Sequence, residues 1–534
     1  MKCKFLTILA LVCCNLAMAQ ENLPTDYLSK DFHAGRRDAF RKLMPENSIA
    51  VIFSYPERNF SNDVNYVFHQ NPDLYYLSGY TEPDAVLVLF KNPQQKDGKT
   101  YSDLFFVRER DSAQEIWTGR RLGVEGAKNK LGFTQAYLGS EFDKFGIDFS
   151  KFATVIYDDI PEDLRNDGSG YDLAGLLASF KQKVNPPGKQ EIHLRSELRL
   201  IQRRANATNL KNFIDREKKN AAGNELFTKD PVMNEFMNLK DSTGLTVVLS
   251  KIKEQKPLGT DVYSDITQQL REIKTPEELV LMRKSVAISG LAHKESMKAI
   301  TPNSSEREIE GVHSYIHKRY GAEDEGYPPI VGAGANGCIL HYEENSSTKV
   351  DNQLLLMDVA CEYHGYSADV TRTIPANGKF SPEQKAIYQL VYDAQDSVFK
   401  LCKEGTPFGD LNQKAREVLA AGLLKLGIIK DKSEVRKYYP HGCSHHLGLD
   451  VHDKSGYGAL KQNMVITVEP GIYIPAGSPC DKKWWNIGVR IEDDVIIGKD
   501  GCENMSADSP RKWEDVEKAA AEKSSFKNMP LPKI

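Results

Sequence analysis

The chain has 534 residues, 40% of them hydrophobic and 27% charged, with 70 Lys and Arg against 74 Asp and Glu and a net charge of −4. That length predicts two or more domains rather than a small stapled scaffold. The balance excludes disorder and a broadly basic binder of nucleic acid or of acidic membrane surfaces.

The first residues read as a targeting segment. Lys2 and Lys4 precede the apolar run Phe5 to Ala17, and Ala17-Met18-Ala19 gives a small-x-small cleavage pattern. This predicts a signal peptide over 1–19, a mature chain from about Gln20, and a secreted or periplasmic location. The apolar run is too short to span a bilayer, which takes about 20 residues. No later segment is long and apolar enough either, so no stable membrane insertion is expected. Cys3, Cys13 and Cys14 would leave with the leader. Cys338, Cys361, Cys402, Cys443, Cys480 and Cys502 remain, without any C-x-x-C. An oxidising compartment permits disulfides, but six cysteines allow fifteen pairings.

The N-terminal part, 20–200, reads as an α/β domain. Ser48 to Phe53, Ala85 to Phe90 and Leu104 to Val107 are short β-branched and aliphatic runs, with a helix-like stretch at Ala34 to Met44. No phosphate-binding glycine loop follows any of these strands. Residues 201–273 are rich in Lys, Asn and Glu with weak periodicity, which predicts an elaborated connection. Thr275-Pro276-Glu277-Glu278 then combines an N-cap, a first-turn proline and a capping-box glutamate. Ser381-Pro382-Glu383-Gln384 repeats that start. The second domain is placed over 274–534.

Carboxylates inside apolar runs carry the chemistry. Leu354 to Val359 places Asp358 near the end of a buried strand. Gly365 supplies a turn, and Ala368-Asp369-Val370 begins the return strand of a hairpin. Glu469 ends the run Val465 to Val468, and Glu492 lies in Gly488 to Asp493. Burying such groups costs several kcal/mol each without a compensating cation. His441, His445, His446 and His452 crowd one short stretch nearby. Four carboxylates and an imidazole form a hard donor set for two divalent ions, Mn²⁺, Co²⁺ or Zn²⁺. Such a pair activates water for hydrolysis. A Cys443 or Ser444 nucleophile beside His445 lacks a strand-to-helix elbow, and the H-E-x-x-H zinc signature is absent.

At these residues the chain resembles the aminopeptidase P family of pita-bread metallopeptidases. The blocks are GANGCILHYEEN (334–345), LLLMDVACEYHGYSADVTRTIPANGKFS (354–381), HGCSHHLGLDVHD (441–453), VITVEPGIYI (465–474) and GVRIEDDV (488–495). YYLSGYTEPDAVLVL (75–89) and RERDSAQEIWTGRRLG (108–123) join them in the N-terminal half. The resemblance implies an α/β (α+β) architecture. A creatinase-like N-terminal domain would precede a catalytic domain built on a curved antiparallel sheet flanked by helices. It implies metal ligation by Asp358 at one ion, by Asp369 and Glu492 shared between the two, and by His445 and Glu469 at the other, most readily with Mn²⁺. Glu469 is also implied as the proton carrier. His341, His441 and His452 are implied around the metals as catalytic side chains. Tyr327 and Arg490 are implied at the proline pocket, with Arg490 orienting Asp369 or Glu492. Trp117 matches a position that in some relatives reaches a neighbouring subunit, which implies a homo-oligomer, dimer or tetramer.

The implied activity is removal of the N-terminal residue from peptides with proline second. A prolidase confined to Xaa-Pro dipeptides is the alternative, and a catalytically silent peptide-binding module a more distant one. Ala360 stands where the family has Gly, the loop 454–463 is short and lacks an Arg, and about 205–245 looks inserted.

Overall fold

The computed structural model describes residues 24–161, 163–164, 170–205, 210–220, 225–240 and 243–527. The expected leader, 1–19, lies outside them. No helix among the described residues is long and apolar enough to cross a membrane.

The N-terminal unit is a five-stranded mixed sheet. Its strands are β1 (Ser48–Phe53), β2 (Val86–Lys96), β3 (Lys99–Val107), β4 (Ala136–Leu138) and β5 (Thr154–Tyr157), in the order β4-β3-β2-β1-β5. β1 is buried along its whole length because both faces are covered. Alternation sends Ile49, Val51 and Phe53 to one core with Phe106, Phe142 and Phe180. Ala50 and Ile52 go to the other core, with Phe40 and Tyr263. That second core continues into the C-terminal half through Leu281, Tyr366, Leu447 and Leu449, so the two halves share apolar packing.

Between them, Lys189–Arg204, Leu210–Asn220, Glu225–Lys229, Pro231–Met237 and Thr243–Glu254 are helices. Leu198, Ile201, Phe227, Met233, Phe236 and Val248 give them a core of their own. This helical unit begins at Lys189, ahead of the expected connection, because short amphipathic helices bury few residues each and leave little periodicity to read.

The C-terminal half carries the long helix α1 (Pro276–Ala299), started by the expected capping box. Glu278 N–H donates to Thr275 Oγ1 at 3.3 Å, and Thr275 N–H donates to Glu278 Oε2 at 2.9 Å. Helix α2 (Pro382–Phe399) begins the same way at Ser381 and Gln384. Against these helices lie three small antiparallel sheets. The first is β6 (Ile330–Ala333), β7 (Leu354–Asp358) and β8 (Thr371–Pro375), with β7 central and Asp358 opposite Thr371. The second pairs β9 (Val465–Val468) with β12 (Asp493–Ile497), and β12 with β13 (Cys502–Asn504). The third pairs β10 (Gly471–Ile474) with β11 (Ile487–Arg490). Gly488 is required in β11, because a Cβ there would stand 2.1 Å from the Gly337 carbonyl.

One expectation is corrected. Asp369 does not lie in the strand that returns against Asp358. A separate hairpin, Cys361–Tyr363 with Tyr366–Ser367, turns at His364 and Gly365, both at positive φ, and the pairing with β7 resumes only at Thr371. Asp369 therefore sits at a break between two sheets.

Candidate active site

All four carboxylates share that placement. Asp358 is the last residue of β7, and Asp369 precedes β8 by two residues. Glu469 lies between β9 and β10, and Glu492 between β11 and β12. A strand end frees side chains from strict up-down alternation, so carboxylates from four segments converge. Helix α2 holds this arrangement from behind through Gln395. Its amide donates to the carbonyls of Val468 and Ile491 at 3.0 and 3.2 Å, and to Asp493 Oδ2 at 2.8 Å.

The ten residues assigned to the site from the sequence line one cavity of about 390 Å³: Tyr327, His341, Asp358, Asp369, His441, His445, His452, Glu469, Arg490 and Glu492. Asp369, His445 and Glu492 each offer a ligand atom within 4.8 Å of the other two. Glu469 stands beside them, with Oε1 3.4 Å from His445 Nε2 and accepting from Thr467 Oγ1 at 3.3 Å. Asp358 is turned to other partners, accepting from Tyr327 Oη at 2.6 Å and Arg490 Nη2 at 2.5 Å. Arg490 thus orients Asp358, contrary to the expectation of Asp369 or Glu492. Its Nε reaches Glu492 only at 4.0 Å and donates instead to Thr371 Oγ1 at 3.1 Å.

The electrostatics show what the group lacks. Burial pushes the Asp369 carboxyl up, and Asp358 adds to this. Burial and Asp369 push Glu492 well above the carboxylate range. Burial, with Asp369 beside it, takes Glu469 up to about 7. Burial alone would lower His445, but Asp369 and Glu469 push it up to about 9. Every shift in the cluster has the same origin, acidic groups crowded together out of water.

The donor set fits divalent cations on a further observation. His445 Nδ1–H donates to the His446 carbonyl at 3.0 Å, so Nε2 is the nitrogen presented to Asp369 and Glu469. A backbone carbonyl behind the ring is the usual support for a metal-binding imidazole.

The rim is histidine-rich. His441 Nδ1–H donates to the Gly442 carbonyl at 2.7 Å, and its Nε2 accepts from Tyr473 Oη at 2.9 Å. Burial and Arg490 lower His441 to about 4, so the ring stands neutral. His452 sits edge-on to His445 with ring centroids 4.3 Å apart. His341 comes from the 334–345 segment, beside the apolar wall of Ile330, Leu340 and Val451. Trp117 lies outside the cavity, 86% exposed on the helix Ser112–Thr118.

Three contributors went unread in the sequence. Tyr473 Oη also accepts from Arg490 Nη1 at 2.8 Å, joining that cation to His441. Thr371 Oγ1 donates to Glu492 Oε2 at 2.5 Å, and Asp494 Oδ2 accepts from the Asp369 backbone N–H at 2.9 Å. Thr371 lies two residues after Asp369, Asp494 two after Glu492 and Tyr473 four after Glu469, so closeness to those carboxylates in the chain is the signal that points to them.

Residues 280–499 match the model of metallopeptidase family M24, and residues 33–157 that of the aminopeptidase P N-terminal domain. The Xaa-Pro aminopeptidase of Escherichia coli (strain K12) is 32% identical over 503 residues, covering 92% of this chain and 97% of that one. That of Haemophilus influenzae is 32% identical over 500 residues, covering 91% and 96%. Among solved structures, aminopeptidase P from E. coli with the inhibitor Pro-Leu superposes with a TM-score of 0.71 at 31% identity, covering 92% of this chain and 98% of that one. Proline aminopeptidase P II from Yersinia pestis gives 0.71 at 30%, covering 92% and 100%. With both parts of the fold matched in order and nearly the whole chain aligned, this chain belongs to the aminopeptidase P family of M24 metallopeptidases.

Proposed function

We propose that this chain is an Xaa-Pro aminopeptidase, releasing the N-terminal residue from peptides with proline in second position. The observation that carries the reading is the convergence of four strand-end carboxylates and His445 in one cavity rimmed by His341, His441 and His452. The relatives named Xaa-Pro aminopeptidase support the substrate class.

Asp358, Asp369, His445, Glu469 and Glu492 would hold two divalent ions, Mn²⁺ by the hardness of the donors, and these supply Lewis-acid polarisation of a carbonyl and a water of lowered pKa. The chain's own groups do the rest. Glu469 takes the proton of the attacking water and delivers it to the proline nitrogen as the C–N bond breaks. Arg490, fixed by Asp358 and Tyr473, keeps the floor of the cavity cationic. The neutral His441 ring walls the pocket. Proline's nitrogen carries no hydrogen in a peptide, so selection works by ring shape against His441, Tyr327 and Arg490. The leader-like segment 1–19 supports a site of action outside the cytoplasm, and the exposed Trp117 supports a homo-oligomer.

The test is Mn²⁺-supplemented hydrolysis of Arg-Pro-Pro, Ala-Pro and Arg-Ala-Ala, with a chelator control. Chelator-sensitive release of Arg from Arg-Pro-Pro, far faster than cleavage of Ala-Pro, is expected. Cleavage of Ala-Pro alone makes the chain a prolidase, and silence on all three with metal present leaves a binding module.

A further inference from the structure

Cys402 and Cys502, a hundred positions apart, meet at the C-terminal turn of helix α2. Cys402 is fully buried just beyond that helix. Its backbone N–H donates to the Phe399 carbonyl at 3.1 Å, and its thiol donates to the Val398 carbonyl at 3.4 Å. The Cys502 thiol, at the start of β13, points to the same Phe399 carbonyl at 3.9 Å. The backbones are also tied. Glu404 N–H donates to the Gly498 carbonyl at 3.0 Å, and Cys502 pairs with Ile497 in the β12–β13 ladder. The two thiols thus face carbonyls of adjacent residues in the same helical turn. All six cysteines among the described residues are free thiols, and this pair takes no part in the chemistry of the active site.

We propose that Cys402 and Cys502 are a disulfide-forming site, oxidised by exchange with an external disulfide such as oxidised glutathione. The partly exposed Cys502 is the attacking thiol. The Cys402 S–H stabilises its thiolate and lowers it, whereas that same interaction and burial raise Cys402. Cys502 sulfur attacks one sulfur of the external disulfide, whose S–S bond breaks and releases one thiolate that takes up a proton. Cys402 then loses its proton and attacks Cys502 sulfur, expelling the second external thiol. Two electrons and two protons pass from the protein dithiol to the external disulfide, which leaves as two thiols.

The bond closes a loop of roughly a hundred residues, a size at which cross-linking restricts the unfolded chain strongly. That loop contains His441, His445, His452, Glu469, Arg490 and Glu492. The staple therefore holds the C-terminal half of the site against helix α2, whose Gln395 already grips Val468 and Ile491, the residues just before Glu469 and Glu492.

The experiment is equilibration of the native chain in a glutathione redox buffer, quenching by alkylation, and non-reducing peptide mapping. A Cys402–Cys502 linked peptide is expected. The oxidised protein should melt about 2–8 °C above the reduced one. Cys502→Ser should abolish the link and the shift, while Cys480→Ser leaves both. Cys402→Ser should instead accumulate a glutathione adduct on Cys502. Recovery of both residues as alkylated thiols from folded protein in oxidising buffer overturns the proposal, as does linkage of Cys402 to Cys443.

Discussion

Replacing Arg271 tests whether the joint between the two halves positions the active-site histidine loop. Arg271 is 1% exposed, near the end of the helix Gly259–Glu272. Its Nη1 donates to Asp73 of the N-terminal unit at 2.8 Å, and its Nη2 to Asp450 and Asp453 at 2.6 and 2.5 Å. Those last two aspartates flank His452. Two of the three carboxylates have a second cation, since Lys454 Nζ reaches Asp73 at 2.6 Å and Lys274 Nζ reaches Asp453 at 2.7 Å. Arg271→Met, similar in length and uncharged, leaves three acids facing two lysines. Removing one partner of a buried ion network costs about 3–5 kcal/mol. The surviving lysines and the partial exposure of Asp450, 41% at its side chain, put the loss at the low end, about 3 kcal/mol. At about 1–2 °C per kcal/mol for a cooperative unit of this size, the melting point should fall by roughly 3–6 °C. The loop 450–454 loses an anchor on either side of His452, and small misplacements in an active site cost up to about 100-fold in rate. We expect kcat for Arg-Pro-Pro to fall about tenfold or more with KM changed less. Arg271→Lys should recover part of the stability but little of the rate, because one ammonium cannot serve three carboxylates at once. A melting point within two degrees of wild type, together with an unchanged kcat in Arg271→Met, would refute the reasoning.

Glu469→Gln should abolish turnover while the protein still binds Mn²⁺ measurably by calorimetry. Near-normal kcat in metal-replete variant protein would remove Glu469 from the proton path. His293 is fully buried, and its Nε2–H lies 3.0 Å from the Val359 carbonyl and 2.8 Å from the Val370 carbonyl, one residue beyond Asp358 and Asp369 respectively. His293→Phe should weaken Mn²⁺ affinity by about tenfold or more in a calorimetric titration, and an unchanged affinity would contradict the role. Chelation should lower the melting point, because a ligand present at 100 times its Kd stabilises by about 2.7 kcal/mol. Mn²⁺ should restore both the melting point and activity.

The chain near Asp26 is held to the 361–367 hairpin by His364, which faces Asp26, Glu323, Tyr27 and Tyr363, with Lys284 on Asp26. Burial alone would lower His364, but Glu323 and Asp26 raise it above 6.5. Its contribution is therefore complete below pH 6.5 and lost as pH rises through the raised value. Burial alone would raise Asp26, but Lys284 and His364 lower it below 3.8. Its contribution holds above pH 3.8 and fails as pH falls. Hydrogen exchange of residues 24–29 should accordingly be slowest near pH 5–6 after correction for intrinsic rates, and His364→Gln should flatten the alkaline rise.

The parts of this site that a sequence reader can see are those whose chemistry conflicts with their surroundings. Asp358 behind Leu354-Leu355-Leu356-Met357 and Glu469 behind Val465 to Val468 are conspicuous because a buried carboxylate demands a partner. Alternation carries no information on where a strand breaks, so it places Asp369 in the return strand, whereas a hairpin intervenes. Nor does it show which cation meets which acid. Arg490 is two positions from Glu492 in the chain, yet its guanidinium crosses to Asp358. The Arg271 joint was invisible for the same reason. Its charges come from Asp73, Arg271, Lys274, Asp450, Asp453 and Lys454, each unremarkable in its own segment, and only folding brings them out of water together. Local conflict marks the residues that act, whereas the residues that hold them in place are defined by contacts hundreds of positions apart. The substitutions at Arg271 and His293 separate those two classes, since both lie outside the catalytic cavity and both are expected to be felt within it.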